Sequence, residues 1–321
     1  MTDSRRVHAR EDEDFDDDGP PKYWLNVLFF VLTVLSVFWT GASLQEGSLA
    51  GPLQIWTGWP FAVPLMSILI AHESGHYIAA RLHRVPASLP FFIPLPKLSP
   101  FGTMGAVIGM SGRIRSRIAL LDIGAAGPLA GMVVALPVLA FGLSWSHVGA
   151  NPAHDYFEEG QSILYLLMKR VFVGRIPEGL DVQLHPTAYA GWVGLLVTMI
   201  NMLPWGQLDG GHIAYALFGL RQNQFARWVR FSLLGLFAYN VVKFVLPAVL
   251  HRSTQGVGFA ISTSLFWLIW FAVTGIIGRF SGGADHPPFE PGELGPGRRA
   301  VAWLCLIMFV VLFMPTPQAV Y

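Results

Sequence analysis

Residues 71–80 read AHESGHYIAA and hold two histidines and a glutamate in the pattern HExxH. On an α-helix, residues i and i+4 lie on the same face, so the imidazoles of His72 and His76 can bind one Zn²⁺ ion. Glu73 stands beside them, in the position of a general base. The alternative is a pair of histidines that only hydrogen-bond within a helix bundle. We favour a metal site because ionisable side chains in a hydrophobic segment are costly and usually functional.

A hydrolytic zinc site needs three protein ligands and one open position, so another His or carboxylate must come from elsewhere in the chain. Residues 201–212 read NMLPWGQLDGGH and end a later apolar segment. Asp209 and His212 are the candidates for the third ligand, and their spacing alone does not decide between them. Asn201 lies in the apolar part, where an amide commonly bonds to a neighbouring helix.

The composition of the chain describes the surroundings of these residues. Of the 321 residues, 53% are hydrophobic and 13% are charged, whereas soluble domains carry about 25% charged residues. An ordinary soluble enzyme is therefore excluded. The formal net charge of +1 gives no reason to expect nucleic acid as a partner. The single cysteine, Cys305, excludes an intramolecular disulfide and a cysteine metal site.

Apolar runs long enough to cross roughly 30 Å of hydrocarbon recur along the sequence, which predicts an all-α polytopic membrane protein. Residues 1–22 are predicted to form a disordered cytoplasmic tail. Residues 23–58 would form a first transmembrane helix and an external loop, residues 59–222 a core with the candidate ligands, and residues 223–321 additional transmembrane helices. The seven predicted crossings are 23–42, 59–82, 118–143, 189–205, 231–250, 257–277 and 300–314.

Arginines near the span ends predict the orientation of the chain, because cytoplasmic loops are enriched in Lys and Arg. Arg81 and Arg84 close the second span, and Arg113, Arg115 and Arg117 precede the third. The N-terminus is therefore predicted to be cytoplasmic. Glu73 would lie about 12 Å below the cytoplasmic surface, given the rise of 1.5 Å per helical residue.

Two connections need separate interpretation. The connection 144–186 should be external, yet it contains Lys169, Arg170 and Arg175. Its apolar part, 163–173, is too short to cross the membrane and is predicted to be an interfacial or re-entrant helix. The segment 87–110 is apolar but broken by prolines and glycines, which predicts a re-entrant loop or β-hairpin beside the site. A loop on the cytoplasmic membrane surface is the alternative for this segment.

The motif HESGH, with the later NMLPWGQLDG, resembles the paired signature of the site-2 protease family of intramembrane metallopeptidases. Two more segments, FGTMGAVIGM at 101–110 and GAAGPLAG at 124–131, resemble the family's Gly-rich segment and its Gly-Pro motif. The resemblance covers about residues 60–220, and we recognise no PDZ or CBS domain. It implies that Asp209, rather than His212, is the third zinc ligand. It also implies that Asn201 positions the substrate or stabilises the oxyanion.

The resemblance implies an intramembrane zinc metalloprotease with one Zn²⁺ per chain, acting on transmembrane protein substrates in regulated intramembrane proteolysis. Glu73 would be the general base, and Asn201 a second catalytic residue. The alternatives are a zinc transporter and an inactive relative that binds membrane proteins. A bacterial cytoplasmic membrane is predicted because no organelle-targeting segment is visible. The sequence leaves the oligomeric state and the identity of the substrate open.

Overall fold

The computed structural model describes residues 23–46, 52–110, 114, 116–150, 157–250, 254–280 and 292–320. The predicted tail, 1–22, and two of the predicted cytoplasmic arginines, Arg113 and Arg115, lie outside these ranges. The α-helices are α1 (Tyr23–Glu46), α2 (Trp59–Leu82), α3 (Arg117–Trp145), α4 (Ile163–Phe172), α5 (Pro186–Asn201), α6 (Asp209–Phe218), α7 (Arg221–Asn240), α8 (Leu246–Leu250), α9 (Thr254–Phe280) and α10 (Pro296–Leu312). A 3₁₀-helix (Pro52–Gly58) precedes α2, and a π-helical turn (Val241–Val245) joins α7 to α8.

The strands form three antiparallel pairs. They are β1 (Phe91–Pro94) with β2 (Thr103–Val107), β3 (His147–Ala150) with β5 (Leu180–Gln183), and β4 (Phe157–Glu159) with β6 (Gln318–Val320). The β1–β2 pair lies in the segment for which a hairpin is predicted. The other two pairs are not part of the predicted all-α fold, because their strands are too short to show a clear alternation of apolar and polar residues.

Five stretches of helix in the described part of the chain are long and apolar enough to cross a membrane. They are Tyr23–Leu44, Gln54–Leu82, Arg117–Trp145, Arg221–Leu250 and Gly256–Arg279. The chain is therefore a helical integral membrane protein with several spans. Five of the seven predicted crossings are matched by these stretches. The other two, α5 with 16 residues and α10 with 17, are shorter than the roughly 20 residues that a crossing needs. Helix α5 ends at Asn201, short of the predicted 189–205, because Pro204 and the residues before it cannot continue the helix.

Helices α2 and α3 pack against each other in opposite directions, and this defines two sides of the bundle. The tryptophan side contains Trp59 at the start of α2 and Trp145 at the end of α3, both with exposed side chains. The arginine side contains Arg81 in the last turn of α2 and Arg117 at the start of α3. Exposed tryptophans are typical of the boundary between a membrane and water, so the two sides face opposite membrane surfaces.

Helices α5 and α6 follow α3 in the reverse direction and together form one interrupted helical path across the bundle. The pairs in contact, from the end of α3 to its start, are Gly142 with Ala188, Leu139 with Gly191, Gly124 with His212, and Arg117 with Ala216. The interruption, residues 202–208, therefore lies inside the bundle. Non-helical backbone at that depth persists only where protein or a polar cavity satisfies its polar groups.

The β1–β2 hairpin is held against α1 by side chains of that helix. Asn26 Nδ2 donates to the carbonyls of Leu89 and Pro90, at 3.0 and 3.1 Å. Ser36 Oγ, which is buried, donates to the carbonyl of Gly102 at 2.6 Å. These bonds tie α1 to the chain just before β1 and just before β2, so α1 fixes the hairpin beside α2.

On the tryptophan side, Lys169 of α4 lies in a buried group of polar side chains. Its Nζ is 3.1 Å from Glu159 Oε1 and 3.2 Å from Asp181 Oδ1, and the residue is 4% exposed. Tyr165 donates its hydroxyl proton to the same Glu159 oxygen at 2.7 Å. One cation thus joins α4 to the end of β4 and to β5. Among the basic residues of the connection 144–186, Lys169 is neutralised inside the protein, which partly explains why that connection departs from the expected charge pattern.

We expect Lys169→Met to destabilise the protein by about 3–5 kcal/mol, because it leaves the buried Glu159 carboxylate without its cation. Equilibrium unfolding in mixed detergent micelles measures this loss. The matched control is Arg170→Met, which removes the neighbouring but exposed charge. Equal stability of the two variants would contradict a structural role for the buried group.

Candidate metal centre

His72, His76 and Asp209 come together in the bundle, and their ligand atoms all lie within 4.8 Å of one another. The Nε2 atoms of the two histidines are each 3.3 Å from Asp209 Oδ2 and 3.1 Å from each other. All three side chains are largely buried, with 5%, 12% and 14% of their surface exposed. Two imidazole nitrogens and one carboxylate oxygen are a donor set that suits zinc and leaves a fourth position open.

The sequence of α6 explains how Asp209 reaches the histidines. Asp209 is the first residue of α6, directly after the interruption at 202–208. A Cβ atom at Gly210 would overlap the Met202 carbonyl, and one at Gly211 would overlap the Gly206 carbonyl. The two glycines therefore let the first turn of α6 pack directly on the irregular backbone. This close approach holds the Asp209 carboxylate at the depth of the HExxH motif.

A main-chain carbonyl orients the His76 imidazole. His76 Nδ1 lies 2.8 Å from the carbonyl oxygen of Ile123 in α3. A carbonyl only accepts hydrogen bonds, so Nδ1 carries the proton and Nε2, which faces Asp209, keeps its lone pair for a metal. This contact could not be predicted from the sequence, because it uses the backbone of Ile123 and not its side chain.

The Gly-Pro motif of α3 packs against the helix of the HExxH motif. Gly131 lies against His72, and a Cβ atom at Gly127 would overlap the His76 imidazole. On the other helix, Gly75 faces the Ala126 carbonyl so closely that it too has no room for a Cβ atom. The small side chains in the segment 124–131 therefore allow α2 and α3 to approach closely around the candidate ligands His72 and His76. Small residues have this effect in membrane helix bundles generally.

We expect Gly127→Ala to lower the metal affinity on the order of 10–100-fold, the loss typical when the support of a ligand is disturbed. The added methyl group and the His76 imidazole cannot both occupy their places, so the ring must move away from Asp209 or α3 must shift. Competition with a fluorescent zinc chelator measures the affinity. Gly258→Ala in α9 is the control, because a Cβ atom there meets nothing within 4 Å. Unchanged affinity in Gly127→Ala would disprove the steric argument.

A cavity of about 170 Å³ opens beside the three candidate ligands. Glu73, 7% exposed, lines it together with Asn201, whose Nδ2 lies 3.4 Å from His72 Nε2. His212 also lines the cavity but is not a member of the three-residue ligand group. The cavity thus brings together the five residues to which the family resemblance gives a role, namely His72, Glu73, His76, Asn201 and Asp209. Its other wall includes Ala106, Val107 and Ile108 at the end of β2 and just after it.

The described part of the chain contains one group of three potential metal ligands, the group at His72, His76 and Asp209. A transporter would be expected to carry further groups along a path through the membrane.

Asp122 forms a separate polar cluster on the arginine side. Its carboxylate is bound by both Nε and Nη2 of Arg298 and lies 2.8 Å from His83 Nε2. This cluster ties α10 to α3 one residue before the Ile123 carbonyl, a link that the sequence analysis missed because its members lie far apart in the chain.

Comparison with known proteins supports the family resemblance that the sequence motifs indicate. The chain is 32% identical over 252 residues to "Probable zinc metalloprotease EGY1, chloroplastic" of Oryza sativa subsp. japonica, covering 68% of this chain and 42% of that protein. It is 34% identical over 166 residues to the protein of the same name from Arabidopsis thaliana, covering 50% of this chain and 30% of that protein. A rice protein named "Probable zinc metalloprotease EGY2, chloroplastic" is 28% identical over 248 residues, covering 74% of this chain and 44% of that protein.

This chain therefore spans less than half the length of these curated relatives. No solved structure matches it. Residues 60–238, more than half of the 321 residues, match the family model described as Peptidase family M50. This range contains the HExxH motif, the Gly-Pro motif and Asp209, and it confirms the family resemblance found in the sequence. The chain belongs to peptidase family M50.

Proposed function

We propose that this chain is a zinc metalloprotease that hydrolyses a peptide bond in or near the transmembrane segment of a membrane protein. The observation that carries the proposal is the convergence of His72, His76 and Asp209 on one point, with Glu73 on the same buried cavity. The core would be residues 59–222, with a disordered tail at 1–22, a first helix and loop at 23–58, and additional helices at 223–321.

His72, His76 and Asp209 would hold one Zn²⁺ ion. When bound, zinc polarises a carbonyl and makes water a stronger nucleophile. Glu73 takes the proton from the attacking water and passes it to the leaving amine. Asn201 donates a hydrogen bond from its amide to the oxygen on which negative charge develops. The buried position of the cavity keeps these charges in a low dielectric, where such hydrogen bonds are stronger than in water.

The β1–β2 hairpin supplies a means of holding the substrate. A transmembrane helix conceals its carbonyls in its own hydrogen bonds, so the substrate must unwind before it is cut. Strand β2 pairs with β1, and in the described part of the chain no further strand pairs with it. An unwound substrate could add there as a third strand, with Val107 and Ile108 leading it toward Glu73. In this arrangement the hairpin lies in the membrane, as a re-entrant segment.

The test uses purified protein in lipid nanodiscs with a substrate that contains a single transmembrane helix. We expect zinc-dependent cleavage, stopped by a chelator and restored by added zinc, with the cut mapped by mass spectrometry in or next to the transmembrane segment. Cleavage confined to soluble loops far from the membrane would contradict the intramembrane assignment. Zinc uptake into sealed vesicles, without any cleavage, would favour a transporter instead.

The charge pattern supports a cytoplasmic location for the arginine side. Arg81, Arg84, Arg117 and Arg221 lie in or next to the helix ends there, and cytoplasmic loops are enriched in such residues. The N-terminus would then be cytoplasmic too, and the membrane would be a bacterial cytoplasmic membrane or one with the same polarity. Labelling of single cysteines from either side of sealed vesicles tests the orientation.

A further inference from the structure

Helix α4 is amphipathic in the reverse sense to a helix on the surface of a soluble protein. Its inward face carries the charged Lys169, which is 4% exposed, and Tyr165, which is fully buried. Its outward face carries large apolar side chains that are more than half exposed. They are Ile163, 61%, Leu166, 53%, Leu167, 56%, and Val171, 65%.

The buried polar group explains why α4 has this rotation. Lys169 can pair with Glu159 and Asp181 only when its side of the helix faces inward. Leu167 and Val171, each two positions away from Lys169, lie on nearly the opposite side of the helix and are then turned outward. A helix that buries its lysine and exposes its leucines would expose a continuous apolar patch to water, and soluble proteins rarely tolerate such patches.

The position of α4 indicates what covers this face. Helix α4 packs against α3 and α10, which themselves expose Phe141 and Val310 toward the tryptophan side of the bundle. The residue just ahead of its N-cap region, Gly160, accepts a hydrogen bond from the indole of Trp192 in α5. The beginning of α4 therefore lies among the membrane helices, while its end leads toward β5. The exposed face of α4 thus continues the apolar surface of helices that cross the membrane.

Charge along the helix agrees with this position. The first six residues of α4 carry no charge, and the exposed Arg170 and Arg175 occur near its end and just beyond. Arginine side chains near the end of a membrane segment extend toward lipid phosphates while their aliphatic parts stay in the apolar layer. With ten residues, α4 is about 15 Å long at 1.5 Å per residue and cannot cross the membrane.

We propose that α4 inserts its outward face, Ile163, Leu166, Leu167 and Val171, into the lipid leaflet on the tryptophan side, with Arg170 and Arg175 at the level of the lipid phosphates. The connection 144–186 is then anchored in the membrane through α4, while its exposed residues after Arg175 remain in water. The partner surface is lipid: acyl chains for the apolar face and phosphate groups for the two arginines.

The experiment places one nitroxide spin label at a time in a Cys305→Ala protein reconstituted in nanodiscs. It compares the accessibility of each label to oxygen, which concentrates in lipid, and to a water-soluble nickel chelate. Positions 163, 167 and 171 report on α4. Position 133, 72% exposed at the middle of α3, is the lipid reference, and the exposed position 178 is the water reference.

We expect the ratio of oxygen to nickel accessibility to approach the lipid reference at 163 and 167 and to fall at 171, nearer the phosphates. A label at 167 that matches position 178 would overturn the proposal, because the face would then be in water. Labels shielded from both reagents would also overturn it, since a second copy of the chain or another protein would then cover α4. An unchanged affinity for zinc at the site of His72, His76 and Asp209, measured in each labelled protein, verifies that the fold is intact.

Discussion

Replacement of Glu73 by glutamine should reduce peptide-bond cleavage by about 10²–10⁴-fold while the protein keeps its metal, because positioned general bases contribute rate factors of that size. Glutamine has almost the same shape as glutamate but cannot accept the proton of the attacking water. Glu73 is not one of the three grouped ligands, so the metal should be retained. Turnover of a transmembrane substrate in nanodiscs, measured together with zinc content, checks both parts of this result.

The matched control is Glu178→Gln, the same chemical change at an exposed position on the tryptophan side. It should leave cleavage at the level of the wild type. Persistent cleavage in Glu73→Gln would disprove the assignment of the general base. Loss of zinc from the same variant would instead show that Glu73 contributes to metal binding, and the role of Asp209 as third ligand would then need revision.

Replacement of Asp209 by alanine should remove most of the bound zinc and abolish cleavage. Two imidazoles would remain, and hydrolytic zinc sites use three protein ligands. The carboxylate also lies 3.3 Å from both Nε2 atoms, so its removal takes away the negative charge closest to them. Zinc content by mass spectrometry, after dialysis against a weak chelator, measures the effect.

His212→Ala is the informative comparison for Asp209→Ala, because His212 is the other candidate that the sequence offers. It lines the same cavity three residues further along α6. Zinc should be retained in His212→Ala and lost in Asp209→Ala. The opposite result would transfer the third ligand position to His212, and the grouping of the three side chains would then not represent the metal-bound state.

The central helices could be predicted from the sequence because membrane burial makes long apolar runs easy to recognise. The predicted span 59–82 matches α2, and 118–143 lies within α3. The placement of His72 and His76 on one helix face, as candidate ligands, follows from helical periodicity alone. Asp209 required the family resemblance, because its distance from the histidines depends on how α5 and α6 pack against α3, and spacing along the chain does not contain that information.

Other parts could not be predicted, for physical reasons that differ from place to place. The support of His76 comes from the Ile123 carbonyl, and every residue type has a carbonyl. The sheets β3–β5 and β4–β6 form between short strands far apart in the chain, so no local pattern signals them. The rotation of α4 depends on Lys169 meeting Glu159 and Asp181, which only the tertiary structure brings together.

The interruption between α5 and α6 also bears on the order in which the protein is made. Two of the grouped ligands, His72 and His76, leave the ribosome long before Asp209, and Asp209 reaches them only when α5 and α6 have packed along α3. A nascent chain that has inserted α2 and α3 therefore lacks a complete hydrolytic site. Under the proposed function, the chain would become active only after α5 and α6 have packed along α3.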